Sequence, residues 1–322
     1  MGTVSSREGT DSPLIAAAKS GDALAAAQLL RTPGTDVNHR GVQKWTPLMV
    51  SLYNSNVQVS RLLLQHPEVD VNARDKLGWT PLMRVANGGS IVMVQMLLQH
   101  PGVVVNAHSP QGLTALTESA FGGFAGVVQS LLKHPDIRVN CADQNGSTAL
   151  MKAASRGGQG NAAVLRLLLE RPELHVNARD KEGNTALMIA VKGNHIENVS
   201  ALLEHRGVDV GLKNKAGKSA LGLSRNKQIS SMLQDASSDL SRKATALAAT
   251  SSASTASIPG ELFHSFTSAG EPSPVQVHET MGSGSEMPPE DEPVDSEEEE
   301  LIGMGLAQQQ LRRRRQSPGC DP

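Results

Sequence analysis

Apolar residues in this chain fall in short clusters that recur. The first kind of cluster opens on Ser or Thr, is often followed by Pro, and runs about two turns at helical spacing, as in Ser12–Ser20, Thr46–Tyr53, Thr80–Asn87 and Thr148–Ala154. Its small residues, Ala16, Ala17, Ala18, Ala153 and Ala154 among them, let a neighbouring helix approach closely. The second kind follows within a few residues and carries Leu pairs, predicting helices over Val59–Gln65, Val92–Gln99, Val127–Lys133 and Val164–Glu170. Pro67, Pro101, Pro135 and Pro172 forbid its continuation.

The pairs are in register. The opening Ser or Thr falls at Ser12, Thr46, Thr80, Thr114, Thr148, Thr185 and Ser219, with successive spacings of 34, 34, 34, 34, 37 and 34. A Val-Asn marker keeps the same phase at Val37-Asn38, Val71-Asn72, Val105-Asn106, Val139-Asn140 and Val176-Asn177, with Val210-Gly211 last. A hydroxyl at each opening position predicts an N-cap, and Pro47 and Pro81 at the first helical position lack an N–H that would have no partner anyway. Gly21, Gly89, Gly123 and Asn194 mark left-handed stops after the first helix. Such a unit cannot bury its own apolar face, so stability is expected to be a sum of units and nearest-neighbour interfaces. Repetition is then structural, and function lies where the repeats differ.

The segments DKLGWTPLM, DKEGNTALMIAVKGNHIENVSALLEH and SPLIAAAKSGDALAAAQLL resemble ankyrin repeats, a helix-turn-helix plus β-turn unit, over about residues 12–234. The resemblance implies an all-α repeat solenoid of six repeats plus a shortened seventh as C-terminal cap. Three departures stand out. The period is one residue longer than the family's 33, which predicts a slightly longer connecting loop. The family's His after Thr-Pro-Leu is replaced by Ile15, Met49, Met83, Thr117, Met151, Met188 and Gly222, so apolar packing has to substitute for its hydrogen bonds. Repeat five carries three further residues in SRGGQGNAAV, expected as a longer surface turn.

The resemblance also implies a non-catalytic, protein-binding module acting as scaffold, adaptor or inhibitor through a concave face of turn tips and first-helix ends. Five of the chain's seven aromatic residues, Trp45, Tyr53, Trp79, Phe121 and Phe124, fall in repeats two to four at or beside those positions. With Lys76, Leu77 and Leu113 they form the expected contact surface, since Trp and Tyr on a rigid scaffold supply binding energy at little entropic cost.

Other chemistry is weakly supported. An aromatic content of 2% leaves core building to Leu and small residues. Two cysteines, Cys141 and Cys320, cannot make a disulfide framework, no apolar run reads as a signal peptide or membrane span, and a cytoplasmic monomer is expected, with a nuclear location as an alternative. GLKNKAGKS ends like a phosphate loop, but Gly211 stands one residue too far from Gly217. His66, His100, His134 and His205 recur near helix C-termini and are read as cations or donors there, being too far apart to share a metal. No Ser/His/Asp set or paired catalytic carboxylates emerges, so no enzyme, cofactor or metal is expected, and Cys141 reads as a buried thiol.

Charge separates the chain into two parts. Residues 1–234 hold 24 Lys+Arg against 17 Asp+Glu, net +7, and 235–322 hold 6 against 15, net −9, which together give the net −2 of the whole. The first part is too moderately basic, and its aromatics too far from its basic cluster, for nucleic-acid binding. Residues 1–11 are expected to be a flexible start and 235–322 a disordered Ser/Pro/acidic tail. Met1-Gly2 with Ser6 satisfies the N-myristoylation pattern at Gly2, and Arg312–Arg315 supplies a basic tract able to reinforce attachment to a membrane surface or to act as a nuclear-import signal. Ser296 before four Glu resembles an acidophilic kinase site, and 297–315 has the charge order of a short helix.

Overall fold

The computed structural model describes residues 10–238. Gly2, Ser296, the 297–315 segment and Arg312–Arg315 lie outside the described residues. The chain divides into two units, Met1–Ala248 and Ala249–Pro322, and all elements below belong to the first.

Seven helical pairs succeed one another: α1 (Pro13–Ser20) and α2 (Ala23–Arg31), α3 (Pro47–Tyr53) and α4 (Val57–Leu64), α5 (Pro81–Asn87) and α6 (Ile91–Leu98), α7 (Ala115–Gly122) and α8 (Ala125–Leu132), α9 (Ala149–Ala154) and α10 (Gln159–Leu169), α11 (Ala186–Lys192) and α12 (Ile196–Leu203), then α13 (Ala220–Leu223) and α14, which occupies 227–238. Among the described residues there are no strands beyond two isolated bridges, Ala142 with Thr148 and Lys213 with Ser219. Every expected N-cap is made: Ser12, Thr46, Thr80, Thr114, Thr148, Thr185 and Ser219 each accept the backbone N–H three residues on, at 3.2–3.4 Å. The left-handed stops also fall where the sequence puts them, at Gly21, Gly89, Gly123 and Asn194.

First helices pack on first helices and second helices on second, α1 on α3 on α5 on α7 on α9 on α11 and α2 on α4 on α6 on α8 on α10 on α12, which makes two layers. Between them, Ile15, Met49, Met83, Met151 and Met188 occupy the position of the family's histidine and are buried. Apolar packing does substitute there, except in repeat four, where Thr117 forms a reciprocal capping box with Thr114, and in repeat seven, where Gly222 is exposed.

The Val-Asn marker is a tie between repeats. Asn38, Asn72, Asn106, Asn140 and Asn177 each donate their amide to a carbonyl of the next repeat, those of Glu68, Gly102, Asp136, Glu173 and Gly207. The same side chains accept from the N–H groups of Asp70, Val104, Arg138, His175 and Asp209. The histidines make a contact at Nδ1 that a cation could not, while Nε2 remains a donor. Nδ1 of His66, His100, His134 and His205 accepts the backbone N–H two residues on, at 3.1–3.3 Å, which requires an unprotonated ring nitrogen. At His100 burial lowers the pKa, in the same direction.

The insertion of repeat five gives the expected longer surface turn, four exposed residues at 155–158 against three between α11 and α12, and most of it is taken up as helix. α10 is 11 residues long where α6, α8 and α12 have 8, and its extra turn is at the N-terminal end. This shortens α9 to 6 residues and leaves its last carbonyls without continuing helix. Asn198 answers them: it stands where Val59, Met93, Val127 and Val164 fill the core, is fully buried, and its amide donates to Ala153, Ala154 and Arg156 at 3.3, 3.4 and 2.6 Å.

Candidate functional site

The turn tips are built on one residue placed five before each N-cap. Asp75 Oδ1 accepts the N–H groups of Leu77 and Trp79 at 2.8 and 2.9 Å, closing the tip. Asp143, Asp180, Asn214 and Ser109 do the same in their repeats. Successive tips are joined by backbone rungs of 2.9 Å, Lys76 to Gln43, Gln144 to Gln111, Lys181 to Asn145 and Lys215 to Glu182. The tip of repeat four has Pro110 in the donor position, so it packs its ring against Gly78 instead.

Repeat two departs from this scheme. Gly41 stands in place of the Asp, and Lys44 in place of the tip glycine, so Gln43 and Lys44 both adopt left-handed backbone at φ 60° and 59°. The equivalent Gly78, Gly112, Gly146, Gly183 and Gly217 take φ of 73–81° without a Cβ penalty. The strained tip presents Val42, Gln43 and Lys44 to solvent directly beside Trp45.

Trp45, Tyr53 and Trp79 come together around Arg84, a residue the sequence reading does not single out. Arg84 of α5 lays its guanidinium over both indoles, 4.6 Å from the Trp79 ring and 5.4 Å from the Trp45 ring. Tyr53 meets Trp45 edge-on at 5.0 Å. The guanidinium is itself fixed by Asp75: Nε donates to Oδ2 at 2.6 Å, and Nη2 makes a second, shorter contact to the same oxygen. The Asp75 side chain is 1% exposed and that of Arg84 21%, so the pair is nearly dry. Lys152 repeats the arrangement with Asp143 at 2.6 Å. Burial raises the Asp143 pKa, and the bonds from Lys152, Ser147 and Asn145 outweigh it, so the net shift is downward.

The indoles are half-buried rather than exposed, because Arg84 and the core cover part of each ring. Exposure belongs to their neighbours: Tyr53 is 64% and Leu77 55% exposed, and Lys76 is exposed as well. Leu113 and Phe121 are half-buried, and Arg156 caps Phe121 with its guanidinium 4.3 Å from the ring. Phe124 differs from the rest. It is the N-cap residue of α8 and its ring lies against Gly89 and Gly122, where any Cβ would come within 2.7 and 2.3 Å of it, so it serves packing between repeats three and four.

Other features singled out in the sequence have structural roles. Gly217 and Ser219 of GLKNKAGKS are the tip glycine and N-cap of repeat seven, and Cys141 is buried. Among the described residues no group of His, Cys, Asp or Glu is arranged to hold a metal, and no helix is long and apolar enough to cross a membrane.

This pairing of stacked helices, capped tips and in-phase ties coincides with matches of the profile for ankyrin repeats over residues 14–109, 67–143, 101–180 and 120–214. The chain belongs to the ankyrin repeat family. Among solved structures, the ankyrin repeat domain of Bcl-3, described as a unique member of the IκB protein family, superimposes with a TM-score of 0.63 at 25% identity, covering 70% of this chain and all of that one. The ankyrin repeat domain of human ASB11 gives 0.58 at 23%, covering 70% and 98%, and the ankyrin repeat protein EF0377 gives 0.56 at 22%, covering 60% and 98%. Comparison with curated proteins gives no match. Ankyrin repeats are typically non-catalytic modules of protein–protein interaction.

Proposed function

We propose that this ankyrin protein is a non-catalytic scaffold, adaptor or inhibitor that binds a protein partner through the tips and first helices of repeats two to four. The observation that supports it is the Arg84 guanidinium clamped by Asp75 between Trp45 and Trp79. It makes a rigid, pre-ordered platform, so a partner loses little to ordering the surface it meets. Exposed Tyr53, Leu77 and Val42 border the platform.

Partner capture from cells by the full chain and by a Tyr53→Ser/Leu77→Ser variant tests the proposal. Both side chains are exposed, so the variant keeps its unfolding midpoint while capture falls. A Trp45→Ala/Trp79→Ala variant completes the series, with a thermal scan to confirm that it is folded. Capture undiminished in every folded variant refutes the assignment.

A second reading, a membrane-tethered regulatory subunit that targets or controls an enzyme, is supported by the Met1-Gly2 pattern with Ser6. Intact mass of the protein from cells, wild type against Gly2→Ala, reads acylation directly; equal masses after correction for the substitution reject it.

A further inference from the structure

The fourth residue of the first helix in repeats two to six forms a row: Val50, Arg84, Glu118, Lys152 and Ile189. Val50 and Ile189 show that an aliphatic side chain fits this row, so the architecture does not demand charge there. Arg84 and Lys152 have a structural use, because each is held by the aspartate that closes its own tip. Glu118 does not. Its own tip is closed by Ser109, which offers no charge.

Glu118 is nonetheless buried, at 8% exposure. Among the described residues its carboxylate accepts one side-chain hydrogen bond, from Asn87 at 2.9 Å, and makes no ion pair. The series Asp75, Arg84, Glu118, Lys152, Asp143 holds three carboxylates and two cations, so it is one positive charge short. Burial pushes the Glu118 pKa up, and the bond from Asn87 and the fields of Lys152 and Arg84 offset only part of this. A desolvated carboxylate kept where Val or Ile would fit carries a burial cost that its one hydrogen bond to the stack, from Asn87, offsets only in part.

We propose that Glu118 is the polar recognition point of the binding face and receives an arginine or lysine side chain of the partner segment, whose adjacent apolar residues lie against Tyr53, Trp79 and Leu77. The inference rests on the binding reading above and adds the partner's chemistry to it. An incoming guanidinium or ammonium supplies the missing charge and replaces the water that burial denies the carboxylate. Asn87 of the preceding repeat donates to the carboxylate and fixes it before the partner arrives.

The test is selection of a random-peptide display library on the full chain. Peptides enriched on the wild type carry Arg or Lys next to aliphatic or aromatic residues. A synthetic peptide of the enriched sequence loses about thirtyfold or more in affinity on Glu118→Gln, as expected when one member of a buried charged pair is neutralised. Replacing its cation by citrulline or norleucine weakens binding to the wild type but not to Glu118→Gln. The variant's unfolding midpoint at neutral pH is at least that of the wild type, which separates recognition from a structural need for the carboxylate. Enriched peptides without a cation, or equal affinity for wild type and Glu118→Gln, overturn the inference and leave the binding face standing. A wild type that enriches no peptide, or binders indifferent to Tyr53→Ser/Leu77→Ser, overturns both.

Discussion

Replacing Arg84 by Met keeps the stem of the side chain and removes its charge, and the structure allows the loss to be worked through. Asp75 would retain its two backbone N–H donors on Oδ1 and lose both guanidinium contacts on Oδ2. Orphaning one member of a buried ion pair costs about 3–5 kcal/mol, and the partial exposure of Arg84 puts this case at or below the lower end. The two stacked rings add about 0.5–1 kcal/mol each. The expected total is roughly 3–5 kcal/mol. Urea unfolding followed by circular dichroism and by tryptophan emission measures it, and the emission is a local reporter because both tryptophans of the chain flank the substituted residue. Asp75→Asn in the Arg84→Met background removes the stranded charge and keeps an acceptor for the tip, so it recovers roughly 1–2 kcal/mol. A cost for Arg84→Met below about 1 kcal/mol, or no recovery in the double variant, refutes the reasoning that a charge clamp holds the aromatic platform.

Asn198→Val restores the residue type of the equivalent core positions but strands the α9 carbonyls, and denaturant unfolding should show a loss of about 1–2 kcal/mol. In a chain lacking residues 157–159 the same substitution should be neutral or stabilising. Lys44→Gly exchanges a left-handed cost of about 1–2 kcal/mol for the larger unfolded-state freedom of glycine, so a thermal scan should show a net gain of roughly 0.5–1 kcal/mol. The Glu118 pKa is raised above its ordinary 4.5, so the native state holds the proton more tightly and stability falls as pH rises from 4.5 through the folded value. Unfolding midpoints of Glu118→Gln should therefore exceed wild type at neutral pH and match it below 4.5. The Asp143 pKa is depressed below 3.8, so its contribution is complete above 3.8 and disappears as pH falls through the folded value. Lys152→Met should flatten that acid limb.

The stack was legible because its signals are local and repeated. A Thr hydroxyl three residues before an N–H and a glycine at a left-handed stop act within one turn, so all seven N-caps and four of the stops after the first helices were placed from sequence, while Ser55 after α3 was not. The insertion in repeat five was read only in part, as a longer turn without its added helix, because the helix depends on a partner one repeat away. Three extra residues became a helical turn, and Asn198 in a run of Val and Met was the mark that the carbonyls of α9 needed a donor. The histidines were misread as cations because proximity to a helix terminus suggests one, while the chain returns an N–H to Nδ1 two residues later.

The site was half legible. Aromatic clustering drew attention to Trp45, Tyr53 and Trp79, but Arg84 was missed because its meaning is relational. The signal was present in the in-phase pairs Asp75 with Arg84 and Asp143 with Lys152, nine residues apart in both repeats, with Ser109 and Glu118 breaking the rule between them. Phe124 drew attention for its ring alone, whereas Gly89 and Gly122 beside it in the fold account for its position.

The asparagine of each Val-Asn pair grips the next repeat with both ends of one amide, and the last to do so is Asn177. The following position in phase is Gly211, which has no side chain to offer. Among the described residues, repeat seven therefore offers no such tie to anything placed after it. Gly211→Asn, followed by a grafted copy of residues 215–248 rewritten on the pattern of repeat six, is the edit by which the array could be lengthened.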